Sequence, residues 1–334
     1  MIFGRDEMLQ HLYGHYWVDD ATPEGLTSSH WREQHGRARV QLSGTEAVLE
    51  GEGFGDMRSS SALGRMMSSM TITMYMLHLA ERRGLRSMLA PARRAVERMN
   101  LDFTYDAFRQ LCTIDLLKHH LGETDQGGSL IGLEIGGGYG VLAALERTFL
   151  PNARLVLVDL GRTLLFQAHH LSLAFPESRI GLVSQGDSAR DVAVALASVD
   201  FLLVPAEQLD SLVEVEFDFA VNVASMQEMN AATVAEYFSF MRRYLKPEGF
   251  FYCCNRLHKK MPDGEISEFY RYPWKEGADR FIVDGPCPWN RYFLAFHRTT
   301  RGPKVLGVRV PLVNWFDGET SHRLVVFERA DGRE

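Results

Sequence analysis

Glu134, Gly136, Gly138 and Gly140 alternate along one short stretch, and that spacing suits a ligand. Glycines let a turn bring backbone close to a bound molecule, and the free N–H groups of a following helix meet it there. A carboxylate just ahead of the turn can accept hydrogen bonds from an ammonium or a hydroxyl. Asp159 falls at the end of the next apolar run, where an acid at a strand tip takes both hydroxyls of a ribose. Farther on, Glu228 and His258 are residue types that remove a proton from a reacting group. A dinucleotide fingerprint wants a third glycine three residues beyond Gly138 for close helix–strand packing. Val141 stands there, so the pattern of a nicotinamide site fails.

The elements that must position these groups follow from the hydrophobic pattern. Residues 130–135 are an apolar run expected as a buried parallel strand, and 141–150 have helical apolar spacing. Residues 154–158 form a second strand ending at Asp159, then a helix over 164–175 carries His169 and His170. Two stretches compete for the third strand: 179–183, with Asp187 as its loop acid, and 201–204, followed by Glu207 in a short polar loop. The later one is preferred because it lies a short loop from the fourth strand, which leaves 180–199 as an insertion with its own helix. The fourth strand, 217–223, carries Asn222 at its tip and opens into Ser225-Met226-Gln227-Glu228-Met229-Asn230. A helix over 231–245, a turn at Pro247-Glu248-Gly249 and a fifth strand over 250–254, ending at Asn255-Arg256, continue the series. Strands six and seven are expected at 305–313 and 322–327. In such a sheet ligands lie beyond the carboxyl ends of the strands, so Glu228 after strand four and His258 after strand five are the candidate catalytic bases.

This order, with the acid–glycine turn, Asp159 and the Leu-Lys-Pro-x-Gly approach to strand five, resembles class I S-adenosylmethionine (SAM) methyltransferases over about residues 130–256. The resemblance implies an α/β, Rossmann-like sheet of about seven strands with its last pair antiparallel. It implies SAM as cofactor, the methionine end at Glu134 and the loop backbone, the ribose at Asp159. Gly136, Gly138, Tyr139, Gly140, Glu207 and Asn222 complete the expected cofactor set, Asn222 either touching SAM or shaping its loop. More narrowly, Glu134-Ile-Gly-Gly-Gly-Tyr-Gly140, Asn222, Ser225-Met-Gln-Glu-Met229, Tyr237-Phe238 and Asn255-Arg256 are similar to a family of sugar O-methyltransferases. That implies a hydroxyl of a sugar or glycosylated small molecule as acceptor. Methylation of an amino sugar or other amine is the alternative, and a non-catalytic SAM-binding protein a more distant one. No Asn-Pro-Pro-Tyr motif follows strand four, which weighs against methylation of nucleic-acid bases. A divalent cation is compatible with the loose carboxylates, but no ligand spacing demands one.

The rest of the chain narrows the class. Its 36 Lys plus Arg stand against 43 Asp plus Glu, a net charge of −7 that argues against a dedicated nucleic-acid binder. Residues 1–30 hold no signal-peptide or membrane-length apolar run, so a soluble, cytoplasmic protein is expected. Cys112, Cys253, Cys254 and Cys287 make no metal or disulfide spacing. Residues 1–126 read as an N-terminal helical or lid region, and 127–334 as the SAM-binding domain, with an aromatic-rich insertion at about 257–300. Near the terminus His11, Tyr13, His15, Tyr16 and Trp17 crowd together, either to pack on the body or to close over the acceptor. Residues 51–55 read as a loop. Then Ser59 to Ser61 offer caps for a helix whose stripe of Leu63, Met66, Met67, Met70, Met74 and Leu77 is expected in the core, with Gly84 as C-cap. Pro91 is expected in the first turn of a second helix, and a third spans 104–121, with His119 and His120 at its end. Gly127-Gly128-Ser129 reads as a linker. Tyr270, Tyr272, Trp274, Trp289 and Tyr292 either stack on a sugar or roof the sheet edge, and Arg256 or Arg271 could pair with an acceptor phosphate.

Overall fold

The computed structural model describes residues 4–43, 46–50, 62–78, 83–122, 129–291, 293–294, 304–314 and 318–328. Eight strands make its main sheet: β1 (Ile131–Ile135), β2 (Arg154–Asp159), β3 (Ile180–Leu182), β4 (Phe201–Pro205), β5 (Phe217–Val223), β6 (Leu245–Arg256), β7 (Arg280–Pro286) and β8 (Thr320–Val326). Their spatial order is β7-β8-β6-β5-β1-β2-β4-β3. β1 to β6 pair in parallel, while β8 runs antiparallel to both of its neighbours. The parallel strands are apolar nearly throughout because helices cover both faces. The chain leaves β1 for β2 on one side and later returns to place β5 on the other. That reversal opens a crevice at the carboxyl ends of the strands.

The helices are α1 (Arg5–Leu12), α2 (Ser29–Arg37), α3 (Ala62–His78), α4 (Arg83–Arg98), α5 (Tyr105–Leu121), α6 (Val141–Phe149), α7 (Gly161–Ala174), α8 (Ala189–Leu196) and α9 (Ala231–Tyr244). Residues of α1, α4, α5, α6 and α7 share one core with Leu155, Phe219, Val221 and Tyr252 on one face of the sheet. α8 and α9 pack with Leu133, Val156, Ala220 and Phe251 on the other. The alternation of neighbouring strand residues between the two cores is the period-2 rule at work.

The fold expected from the sequence is present, with two changes in the sheet. Both candidates for the third strand are strands: β4 pairs with β2, and β3 adds an eighth strand outside it, joined through α8. Residues 305–313 do not supply the closing pair with β8; β7 does. Leu306 and Leu312 take positive φ (51° and 63°) and Pro311 cannot donate, so the segment breaks into two-residue strands, Lys304–Val305 paired with Val308–Arg309 and Val313–Asn314 paired with Phe293–Leu294, apart from the main sheet. β7 instead alternates, and Phe281 and Val283 pack toward the two cores.

Three helical expectations change as well. The stripe of α3 is exposed at Leu63, Met66, Met70, Met74 and Leu77, and the helix buries Ser68, Thr71, Ile72 and Tyr75 instead. α3 is apolar around more of its circumference than one stripe, so spacing alone chose the wrong face. Gly84 lies in the first turn of α4 rather than capping α3. Pro91 falls inside α4, where it cannot donate to the carbonyl four residues before it. Helix α5 behaves as expected, starting after Thr104 and ending at Gly122 with φ +60°. The expected caps at Ser59 to Ser61, the loop at 51–55, Gly127-Gly128 and Tyr292 lie outside the described residues. Among the described residues, no helix is long and apolar enough to cross a membrane.

Candidate active site

The turn after β1 carries the most constrained backbone of the site. Gly136, Gly138 and Gly140 have φ of +73°, +57° and +79°, a region costly for any side chain. A Cβ on Gly136 would stand 2.1 Å from Ser225 Oγ, and one on Gly137 2.9 Å from Glu134 Oε1. The alternate glycines therefore serve both conformation and space, and they leave room directly above Glu134.

Glu134 points from β1 toward α6, and its Oε2 is buried with no hydrogen-bond partner among the described residues. Burial, then the neighbouring Asp159 charge, pushes its pKa up to about 8. Asp159, at the tip of β2, accepts from Gly138 N–H (3.2 Å), Gln167 Nε2–H (2.8 Å) and Leu160 N–H (2.8 Å). Those bonds favour its carboxylate, yet burial outweighs them and raises the pKa to about 7. Two buried acids, one with an orphaned oxygen, fit a ligand that brings a cation and hydroxyl donors. The ammonium and ribose of SAM match that donor set.

A cavity of about 420 Å³ opens over this turn. At the glycine turn it is lined by Glu134, Gly136 to Gly138, Asp159 and Leu160, and by Ala224 and Ser225 after β5. Ala224 has φ +62°, a left-handed conformation unusual for a non-glycine residue, and its N–H donates to Cys254 O at 2.8 Å. Asn222 lies under the turn. Its Nδ2 donates to Ile135 O (2.8 Å) and Ser225 Oγ (2.5 Å), and its Oδ1 accepts from Asn255 Nδ2 (2.8 Å). Of the two roles left open for Asn222, shaping the loop is the one this geometry displays. Tyr139 packs against the rings of Phe166 and His170, and Glu207 Oε1 accepts from Tyr16 at 2.7 Å; neither lines the cavity.

The other end of the cavity is polar and assembled from distant parts of the chain. His30, Trp31 and Gln34 come from α2, Asp106, Arg109 and Gln110 from α5, Glu228 and Met229 from the loop after β5, and Arg256 and Lys259 from the end of β6 and beyond. Ser28 caps α2 by accepting from Trp31 N–H (3.4 Å), which fixes the start of the helix carrying His30. Arg109 pairs with Asp106 and donates to Asn290 Oδ1 at 2.8 Å. Lys259 Nζ donates to Glu228 Oε1 at 2.5 Å, and His30 Nε2 stands 3.5 Å from the same oxygen. Burial lowers the pKa of His30, Arg256 and Lys259 alike, and for all three the charge of Glu228 opposes the shift.

Glu228 is thus where the sequence expects it, and His258 is not. His258 lies on a short strand, His258–Lys260, paired with Ile266–Glu268. Its side chain is 69% exposed and faces Glu268, 3.3 Å away, outside the cavity lining. Lys259, on the opposite face of that strand, points in. Among the described residues, the insertion's aromatic side chains do not line the cavity. Phe269, Tyr272, Trp274 and Phe281 join Phe238 and Phe251 as a roof over the sheet, and Trp289 is buried beneath it, its carbonyl taking the Tyr105 hydroxyl at 2.5 Å. Of the residues missed from the sequence, His30 and Trp31 carried the signal of a capped helix in the segment considered as a lid.

The N-terminal segment is anchored beside the cofactor end. Tyr16 lies against Gly161, where any Cβ would stand 2.3 Å from its ring, and Arg162 donates to Tyr16 O at 2.8 Å. Among the described residues, no group of three or more His, Cys, Asp and Glu is gathered to hold a metal ion.

No family model matches this chain, and no curated protein matches it. Solved structures do. The cyclopropane synthase MmaA2 from Mycobacterium tuberculosis is 17% identical over 43% of this chain and 42% of its own, with a TM-score of 0.30. A SAM-dependent methyltransferase from Leishmania major is 11% identical over 66% of this chain and 71% of its own, TM-score 0.34. Coclaurine N-methyltransferase, bound to N-methylheliamine and SAH, is 11% identical over 53% and 50%, TM-score 0.32. The chain spans less than half the length of the cyclopropane synthase and half that of the coclaurine enzyme. At such identities and TM-scores nothing about this chain's own chemistry follows from the likeness.

Proposed function

We propose that the chain is a SAM-dependent methyltransferase acting on a hydroxyl of a small polar acceptor, a sugar or glycosylated molecule being the first choice. The observation that carries the reading is one cavity joining the glycine turn, Glu134 and Asp159 to a second polar set, His30, Arg109, Glu228 and Lys259. Its volume falls in the range of small-ligand sites. SAM brings a methyl group already activated by its sulfonium. The protein's task is then to hold acceptor and cofactor in line, worth about 7–11 kcal/mol, and to remove a proton. Glu134 would hold the ammonium, Asp159 the ribose, and the backbone of Gly136 to Gly138 the rest of the methionine end.

The sugar acceptor is supported by the motif resemblance around residues 222–229 and by a lining of amides and charges suited to hydroxyl groups, with Trp31 as a flat apolar surface. Stacking on the aromatic insertion gives it no support, since those rings roof the sheet. Incubation with methyl-labelled SAM and a panel of free sugars, nucleotide sugars, aminoglycosides, small phenols and RNA tests the proposal, with mass spectrometry locating the added methyl. Methylation of a sugar hydroxyl is expected. Transfer to a sugar amine would move the activity to N-methylation, transfer to phenols or RNA alone would overturn the sugar acceptor, and failure to bind SAM would overturn the whole reading.

A further inference from the structure

We propose that His30 is the general base of the reaction, and that Glu228, anchored by Lys259, is the residue that positions its ring. The proposal rests on the methyltransferase reading and assigns a role to a residue far from the glycine turn in sequence. Geometry carries it. His30 and Glu228 line the same cavity as the cofactor end, and His30 Nε2 lies 3.5 Å from Glu228 Oε1. Lys259 Nζ, 2.5 Å from that oxygen, already donates to it and occupies it, so Glu228 is better placed to orient the imidazole than to take a proton itself. In the proposed arrangement the Nε2 proton turns toward Glu228 across this 3.5 Å contact, which leaves the Nδ1 lone pair for the acceptor. The T-shaped contact with Trp31 and the Ser28 cap further fix the ring's element.

The step balances as follows. The acceptor oxygen forms its bond to the methyl carbon, the carbon–sulfur bond breaks with its pair returning to sulfur, and the acceptor proton passes to His30 Nδ1. The products are a methyl ether, S-adenosylhomocysteine and an imidazolium next to the Glu228 carboxylate, which releases its proton to solvent as the cycle closes. A ring that is neutral before the step is required. Burial, with Lys259 and Arg256, lowers the His30 pKa, while Glu228 and Glu33 act in the opposite direction.

Two measurements on the full chain test the assignment. The first needs no acceptor: the His30 imidazole is titrated by NMR in wild type and in Glu228→Gln. A midpoint below the ordinary histidine value is expected, falling further in Glu228→Gln because an attracting charge is gone. A midpoint above neutrality, or one indifferent to Glu228, overturns the proposal. The second compares wild type, His30→Ala and His30→Gln for SAM affinity by calorimetry and for turnover on the member of the acceptor panel that wild type methylates. Turnover lower by about 10²–10⁴-fold with SAM affinity within about twofold is expected, and the acid limb of the wild-type pH profile should follow the NMR midpoint. Unchanged turnover in both variants overturns the base assignment. Loss of SAM binding by wild type itself would instead refute the methyltransferase reading.

Discussion

Replacing Gly136 by alanine strains the cofactor turn in two separable ways. Its φ of +73° costs a side-chain-bearing residue about 1–2 kcal/mol. The new Cβ also stands 2.1 Å from Ser225 Oγ and 2.5 Å from Ser225 Cβ, far inside van der Waals contact, and overpacking of this kind costs about 1–3 kcal/mol. Ser225 cannot swing aside freely, because its hydroxyl donates to Ile135 O at 3.0 Å and accepts from Asn222. Gly136→Ala should therefore destabilise by roughly 2–5 kcal/mol. Ser225→Gly removes the obstacle and leaves the φ strain, so the double variant should recover about 1–3 kcal/mol relative to the sum of the singles. Denaturant titration of wild type, both singles and the double measures that coupling, and SAM calorimetry shows whether the turn has kept its function. Additive singles, or a Gly136→Ala protein as stable as wild type, would refute this account of the alternate glycines.

Asp159→Ala should weaken SAM about 10- to 150-fold, the loss of hydrogen bonds to a charged group at roughly 1.5–3 kcal/mol, and calorimetry on the folded variant decides it. SAM affinity should rise with pH by up to about tenfold per unit for each of Glu134 and Asp159 that still carries a proton, then level off above about 8, since an ammonium at Glu134 and ribose hydroxyls donating to Asp159 favour the carboxylate forms. Calorimetry in buffers of different ionisation enthalpy would detect the released proton. Glu146 on α6 is fully buried with both carboxyl oxygens lacking hydrogen-bond partners among the described residues, and burial followed by the Glu134 charge raises its pKa. A raised folded pKa means its stability contribution is complete below about pH 4.3 and lost as pH rises toward the folded value, at up to about 1.4 kcal/mol per unit. Glu146→Gln should flatten that slope and be the more stable protein at neutral pH; denaturant midpoints from pH 4 to 8 that keep the wild-type slope would disprove it.

The half of the cavity around the glycine turn was legible because it is local. A strand, a glycine turn and a helix occupy residues 130–150, and Asp159 ends the next strand, so spacing alone placed Glu134 beside Asp159. The other half was not, because α2, α5, the loop after β5 and the end of β6 converge only in three dimensions. His258 shows how narrow the margin is. On a strand, adjacent side chains face opposite sides, so a one-residue difference puts His258 in solvent and Lys259 in the cavity. The aromatic insertion failed for another reason: stacking rings and roofing rings have the same composition, and only the neighbouring Phe238 and Phe251 distinguish them.

The division of the cavity between near and far sequence has an evolutionary consequence. On the proposed reading, changes at Leu26, Trp31, Gln34 or Gln110 would alter the acceptor end of the cavity without touching the glycine turn. Acceptor choice could then change while the glycine turn stays as it is, because the two ends of the cavity come from separate stretches of the chain. On the proposed reading a new acceptor would arise by exchanging the residues around His30, Leu26, Trp31 and Gln34 among them, much as a tool head is exchanged on a fixed handle.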